Sequence, residues 1–173
     1  MSPPLQGPPA LGLAAPGERA LPWTTSRWFH HAGDALQPEA LTGRVVVLHF
    51  FQMLCPGCVH HGVPQAQRIE ATFAGEDVAV VGMHSVFEHH AAMTPVSLAA
   101  FLHENRVAFP VGVDAAAEDP ADPIPKTMRR YALAGTPSLV LVDRRGFVRH
   151  RGFGVEDDLD VGAKIGALLA EPC

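Results

Sequence analysis

The sequence has few cysteines, little positive charge and no long apolar run, and each shortage excludes a class of protein. Three cysteines in 173 residues are too few for the disulfide framework of a small secreted protein. With 13 Lys and Arg against 18 Asp and Glu, the net charge of −5 provides no basic stripe for a nucleic acid or an anionic membrane surface. No apolar stretch approaches the roughly eighteen residues of a membrane span. We therefore expect neither nucleic acid nor membrane as a partner.

The first residues of the chain are the part of the sequence that can indicate its cellular compartment. Its first twelve residues lack the basic start and the apolar core of a secretory signal, so we expect a cytoplasmic protein, or a periplasmic one if a signal has been removed. In a reducing compartment, closely spaced cysteines are more often catalytic or metal-binding than structural.

Composition predicts one compact domain preceded by an arm. A chain of this length that is 47% hydrophobic can bury about two-thirds of its unfolded surface in one domain. Prolines with little charge or periodicity around them predict a disordered arm over 1–22 and a domain over 23–173. Cys173, the last residue, is expected to be a mobile thiol.

Strands and helices alternate along the domain. The apolar run Val45–Phe51 is typical of a strand covered on both faces. A strand or hairpin is expected between Trp23 and Leu41, and further strands are predicted over 78–83, 109–113, 139–142 and 147–153. Helices are predicted from Cys55 to about Ala74 with a kink at Pro64, and over 95–105, 126–133 and 159–170. This order, with one tight turn before the last strand, predicts an α/β fold with a mixed sheet.

Cys55 and Cys58 stand where the first core strand gives way to a helix. Two thiols at this spacing can close a small disulfide ring, and a helix N-terminus favours the thiolate over the thiol. The pair therefore has the layout of a dithiol redox centre. The alternative is half of a zinc site, which needs two more thiolate or imidazole ligands.

A second motif lies about eighty residues further on. A Gly-Thr-Pro-Ser sequence at 135–138 leads directly into the apolar strand 139–142. Together with the Cys-Pro-Gly-Cys motif, this Thr-Pro resembles the thioredoxin superfamily over roughly residues 23–170, closest to its TlpA/ResA-like and redoxin branch. The resemblance implies a thioredoxin-like three-layer α/β/α fold with a mixed central sheet.

The resemblance also implies an activity. It predicts a thiol-disulfide oxidoreductase in which Cys55 attacks a disulfide, Cys58 resolves the mixed disulfide and Pro137, in the cis form, positions the substrate chain. Such a protein needs no cofactor. Its partners are a disulfide-containing protein or a small thiol substrate, and a reductase or thiol donor. Thiolate attack through a mixed disulfide fits this arrangement.

Two histidines are candidates for moving or tuning protons at the thiols. His49 stands six residues before Cys55, where many thioredoxins have a buried acid, and an imidazole can relay protons near neutral pH. The alternative is a core histidine bonded to a backbone carbonyl. His61 stands where the ResA-like branch has a glutamate important for activity, although Pro64 follows Cys58 by six residues rather than the family's usual five. The alternative for His61 is a solvated helix face.

The groove that selects the substrate is expected to form from the loops around Gln52, Thr136 and His84. The loop after the second strand also contains Glu88, His89 and His90, which together with His60 are competent metal ligands. Their spacing matches no defined metal site, so a solvated loop is the alternative and we predict no metal.

Two other functions use the same cysteines. A peroxiredoxin-like peroxidase would use Cys55 to attack a peroxide and Cys58 to resolve the sulfenic acid, but peroxiredoxins have a threonine and a proline where this chain has Gln52 and Leu48. A metal-handling module is the third reading, although copper-delivery relatives of the fold separate their cysteines by three residues rather than two.

Overall fold

A six-stranded mixed sheet organises the protein in the computed structural model, which describes residues 16–31 and 35–172. The strands are β1 (Thr25–Phe29), β2 (Val45–Phe51), β3 (Val78–His84), β4 (Val111–Asp114), β5 (Ser138–Val142) and β6 (Val148–Phe153). Their order in the sheet is β1-β4-β3-β2-β5-β6. The helices are α1 (Val63–Thr72), which a π-helical segment Cys58–Gly62 precedes, α2 (Pro95–Glu104), α3 (Lys126–Arg130) and α4 (Asp158–Ala170).

The connections determine the strand directions. Helical crossovers join β2 to β3 and β3 to β4, and both pairs are parallel. A short turn joins β5 to β6, and this pair is antiparallel, as are β2 with β5 and β1 with β4. The predicted α/β architecture with a mixed sheet is therefore confirmed.

Helices cover both faces of the sheet. Ile69 of α1, Leu98 of α2 and Ile165 of α4 pack on one face, whereas Met128 of α3 and Trp23 pack on the other. All seven side chains of β2, between β3 and β5, are buried. Fully burying a large apolar side chain contributes roughly 1.5–3 kcal/mol, so the strand that leads to the cysteines is firmly held.

The segment before β1 corrects the predicted arm. Residues 16–22 run beside β6, where the Gly17 N–H donates to the Val148 carbonyl at 2.6 Å. A proline- and glycine-rich composition predicts disorder, but these residues are held by bonds to a strand far along the chain. The first fifteen residues of the predicted arm lie outside the described residues, as does Cys173.

Most predicted elements are present with shifted ends. The strand expected between Trp23 and Leu41 is β1, which pairs with β4 instead of forming a hairpin. Helix α3 ends at Arg130, a turn earlier than predicted, and β4 begins at Val111 rather than 109. Across the described ranges, every helix is too short or too polar to cross a membrane.

Candidate active site

The two cysteines lie in the first turn of the helix that follows β2. Cys55 is half-buried and Cys58 is fully buried, and both are free thiols. The Cys58 backbone N–H donates to Cys55 Sγ at 3.2 Å, and this sulfur lies 3.5 Å from the Thr136 carbonyl oxygen. As a thiolate, Cys55 accepts the first bond; as a thiol, it donates to Thr136. Both forms of the accessible sulfur therefore have a partner.

Cys58 is held in its protonated form. Burial and a hydrogen bond to Cys55 raise the pKa of the Cys58 thiol to about 12. At neutral pH it is a thiol, and it must lose a proton before it attacks a disulfide. Cys55 is the more accessible sulfur, and Cys58 is buried and protonated. This difference agrees with the predicted roles of Cys55 as the attacking thiol and Cys58 as the resolving thiol.

Pro137 lies against the helix that carries the cysteines. The Thr136–Pro137 peptide bond is cis, as predicted. A Cβ built on Gly57 would lie 3.2 Å from Pro137 Cδ, and one built on Gly62 would lie 2.9 Å from Pro137 Cβ. Because two glycines face the proline ring, the loop that contains Thr136 lies close to Cys55.

Gln52 holds three loops together. Its side chain is 1% exposed. The Oε1 atom accepts from the Phe87 N–H at 3.2 Å, and Nε2 lies 3.5 Å from both Glu88 Oε1 and Thr136 Oγ1. Gln52 therefore fixes the turn before Cys55 against the loop after β3 and the loop before β5.

His84 supports the same turn from the end of β3. It is 1% exposed, and its Nε2 accepts from the Met53 N–H at 3.4 Å. Burial lowers the pKa of His84 to about 4, so the ring is neutral and can accept this bond. Of the three residues predicted to form the groove, Gln52 and His84 are buried beneath the turn and Thr136 is half-buried. His84 packs against the turn before Cys55, as one expectation for this residue had it.

His49 lies under the helix. It is 2% exposed, and a Cβ built on Gly62 would lie 2.9 Å from its Nε2. Burial lowers the pKa of His49 to about 4. Among the described residues, Nε2 has no hydrogen-bond partner. The ring is buried and neutral, as the alternative of a core histidine held neutral by desolvation requires, but Nε2 makes no bond to a carbonyl of the described residues.

The π-helical segment accounts for the extra residue before Pro64. Proline has no N–H to donate and its ring clashes with the carbonyl four residues back, which breaks the α-helical pattern there. The Val63 N–H instead bonds to the Cys58 carbonyl, five residues back. The wider turn leaves His60 and His61 exposed, and His61 is not among the groups that shift the pKa of Cys58. The tuning of the thiols by His61 therefore stays a prediction, without a contribution to the pKa of Cys58.

The histidine-rich loop after β3 and the two cysteines both provide candidate metal ligands. Among residues 16–31 and 35–172, no group of three or more His, Cys, Asp or Glu side chains is placed to hold a metal ion. Those side chains include the two cysteines as well as Glu88, His89, His90 and His60.

Sequence reasoning missed Gly62 and Glu156. Gly62 stands four residues after Cys58, so helical spacing places it on the face that meets the sheet. Glu156, in the loop between β6 and α4, lines a cavity beside Pro137 together with His49. Glu156 and His49 are far apart in the sequence, and only the tertiary structure brings them to one cavity. No local sequence pattern predicts that they line it together.

The chain was compared with protein-family models, curated proteins and solved structures. No protein-family model and no curated protein matches it. A solved structure described as a thioredoxin-like superfamily protein is 49% identical, with a TM-score of 0.86 over 90% of this chain and 99% of that one. A thiol-disulfide isomerase from Corynebacterium glutamicum is 48% identical, with a TM-score of 0.82 over 88% of this chain and 97% of that one.

A more distant structure shares the fold. StoA from Bacillus subtilis is 19% identical and has a TM-score of 0.61 over 86% of this chain and 98% of that one. The first two structures are nearly half identical to this chain over almost their whole length. Together with the paired cysteines and the cis-proline loop, this similarity shows that the chain belongs to the thioredoxin-like superfamily.

Proposed function

We propose that the protein is a thiol-disulfide oxidoreductase that exchanges electrons between the Cys55–Cys58 pair and the disulfides of proteins or small molecules. The observation that carries the proposal is the position of Cys55 Sγ, half-buried and bonded by the Cys58 N–H, beside the buried protonated thiol of Cys58. The relative described as a thiol-disulfide isomerase supports it.

The reaction has two exchange steps. The Cys55 thiolate attacks one sulfur of the substrate disulfide; the substrate S–S bond breaks, a mixed disulfide forms, and the departing thiolate takes up a proton. Cys58 then loses its proton and attacks Cys55 Sγ. The Cys55–Cys58 bond forms, the mixed disulfide breaks, and the second substrate thiol leaves. The substrate disulfide is reduced and the protein dithiol is oxidised.

The surface around Cys55 suits an extended polypeptide. Leu54 is 54% exposed and Phe153 is 62% exposed. Phe153 covers the backbone just before Thr136, since a Cβ built on Gly135 would lie 2.9 Å from the Phe153 ring. Exposed apolar side chains near a reactive sulfur provide contact area for a substrate chain. This surface supports protein disulfides as substrates.

The proposal assigns His49 as the group that accepts the Cys58 proton. With pKa values of about 12 for Cys58 and about 4 for His49, proton transfer in the resting enzyme costs on the order of 10 kcal/mol. The resting pair is therefore neutral. Burial still raises the Cys58 pKa once Cys55 is in a mixed disulfide, but the hydrogen bond that the Cys58 thiol donates to Cys55, the second cause of the raised pKa, is then gone. Proton transfer accompanies the attack.

Replacing His49 with asparagine should slow the second step and leave the first unchanged. Asparagine cannot accept the proton, and a general base contributes about a hundredfold or more. The measurement is the pH profile of the second-step rate by stopped-flow, with thermal unfolding to show that the variant is folded. A profile like that of the wild type would exclude His49 as the acceptor.

The function is tested by mixing reduced full-length protein with insulin and, separately, with hydrogen peroxide. We expect rapid reduction of insulin, slow consumption of peroxide, and loss of insulin reduction in Cys55→Ser, because serine cannot form the mixed disulfide. Rapid peroxide turnover that depends on Cys55 would replace the proposal with a peroxidase.

A further inference from the structure

A cavity of about 440 Å³ opens beside Pro137, between α1 and the loop that joins β6 to α4. His49 and Gly62 line it, together with Glu156 from the loop and Asp158 from the start of α4. Its walls are about equally polar and apolar, and a water molecule takes up about 30 Å³, so the cavity holds several. Exposed His61 also lines it. Water in the cavity therefore connects the neighbourhood of His49 with solvent.

Two residues that line this cavity each have a buried polar atom without a hydrogen-bond partner among the described residues: His49 Nε2 and Glu156 Oε2. Leaving such an atom unpaired costs about 1–3 kcal/mol, unless water completes its bonding. Both atoms belong to groups that bind and release protons. Their occurrence in one cavity indicates a use for the cavity beyond packing.

The other acids of the cavity are already engaged. Asp158 Oδ2 accepts from Arg68 Nε at 2.6 Å, and its Oδ1 accepts from Gln65 Nε2 at 2.9 Å. Asp157 Oδ1 caps α4 by accepting from two backbone N–H groups of the first turn. Among these acids, Glu156 is the one with a buried oxygen that has no partner among the described residues.

The Glu156 carboxylate is held in place from two sides. Its Oε1 lies 2.7 Å from His150 Nε2 and 3.9 Å from Lys164 Nζ. Its other oxygen, Oε2, lies against the backbone of β6 at Gly152, where it leaves no room for a Cβ. The remaining charged or titratable groups that line the cavity are Arg68 and Asp158, which pair with each other, Asp157, His49 and exposed His61.

We propose that this cavity carries the proton released during disulfide formation and that Glu156 receives it. The inference rests on the proposed oxidoreductase function. As Cys58 attacks Cys55 Sγ, its proton passes to His49, from there through water in the cavity to the Glu156 carboxylate, and then to solvent. The same path runs in reverse when the disulfide is reduced. Glu156 is a positioning and proton-receiving residue that touches neither sulfur.

The test separates the two exchange steps in the full-length protein. Reduced protein with Cys173→Ser, which leaves only the two active-site thiols, is mixed with dithiobis(nitrobenzoate), an aromatic disulfide. It releases one coloured thiolate when Cys55 attacks and the second when Cys58 resolves. We expect Glu156→Gln to slow the second release by about tenfold, less than the loss of a direct general base because water still accepts the proton. The first release should be unchanged. Glu156→Asp, which keeps a carboxylate, and added formate with Glu156→Gln should each restore the second release.

The matched control is Asp158→Asn, which removes a negative charge from the same cavity wall and should leave both releases at the wild-type rate. A second release by Glu156→Gln within twofold of wild type would overturn the proposal. So would a slow second release in His61→Asn with a normal one in Glu156→Gln, because the proton would then leave by His61. If the wild type itself shows no two-step release that depends on Cys55, the oxidoreductase function fails, which is a different result.

Discussion

Replacing Cys58 with serine stops turnover and leaves the substrate joined to Cys55. The Cys58 N–H lies 3.2 Å from Cys55 Sγ, so the resolving thiol is held next to the sulfur that it attacks. Groups held in this way reach very high effective concentrations. Without the thiol, only an external thiol can break the mixed disulfide, and we expect turnover to fall by about a thousandfold or more.

The trapped species is measured by mass spectrometry after the variant is mixed with a peptide disulfide. The expected mass gain is that of one peptide half, and a reductant should remove it. The experiment is done with Cys173→Ser also present, so that Cys55 is the one remaining cysteine; adding Cys55→Ser should abolish the adduct. Turnover by Cys58→Ser at the wild-type rate would show that Cys58 is not the resolving thiol.

The features that sequence predicted well have local signals. The apolar run Val45–Phe51 and the cysteines after it identify the central strand and the start of the helix. The Thr-Pro pair at 136–137 precedes a second apolar strand, and the structure has both the strand and the cis bond there. In each case neighbouring residues are sufficient to predict the element.

The features that sequence missed depend on residues far apart in the chain. Gln52 and His84 are polar and follow apolar strands, a pattern that is typical of an exposed groove. They can be buried because each accepts a hydrogen bond from a backbone N–H group: Gln52 from Phe87 and His84 from Met53. The anchored segment 16–22 likewise depends on partners near β6. No local pattern predicts which distant group will satisfy a polar atom.

Acidification should destabilise the fold well before the carboxylates are protonated. Burial lowers the pKa values of His49 and His84 from 6.5 to about 4. Between these values the unfolded chain binds more protons than the folded one, so the free energy of unfolding falls as pH falls from about 6.5 to 4. Each histidine contributes about 3 kcal/mol to that loss. The combined loss is a large part of the 5–15 kcal/mol typical of a domain.

Other buried acids oppose this loss. Burial raises the pKa values of Asp114 and Glu70, so the folded protein takes up their protons before the unfolded chain does, and they add stability as pH falls. Asp143 has a lowered pKa despite its burial, because the Phe147 N–H and Arg149 donate to it. Its contribution is lost only as pH falls below the ordinary range of a carboxyl group. Histidine variants separate the histidine effect from these carboxylates.

Urea unfolding near pH 7 and near pH 4.5 measures the loss. In His84→Asn, an amide oxygen can still accept from the Met53 N–H but does not titrate, so the loss between the two pH values should shrink by about 2 kcal/mol. The matched control is His103→Asn, because the His103 side chain is 85% exposed and its replacement leaves both buried histidines in place. An equal pH dependence in wild type and His84→Asn would mean that His84 accepts a proton in the folded protein. That result would contradict its role as a neutral acceptor beneath the turn that precedes Cys55.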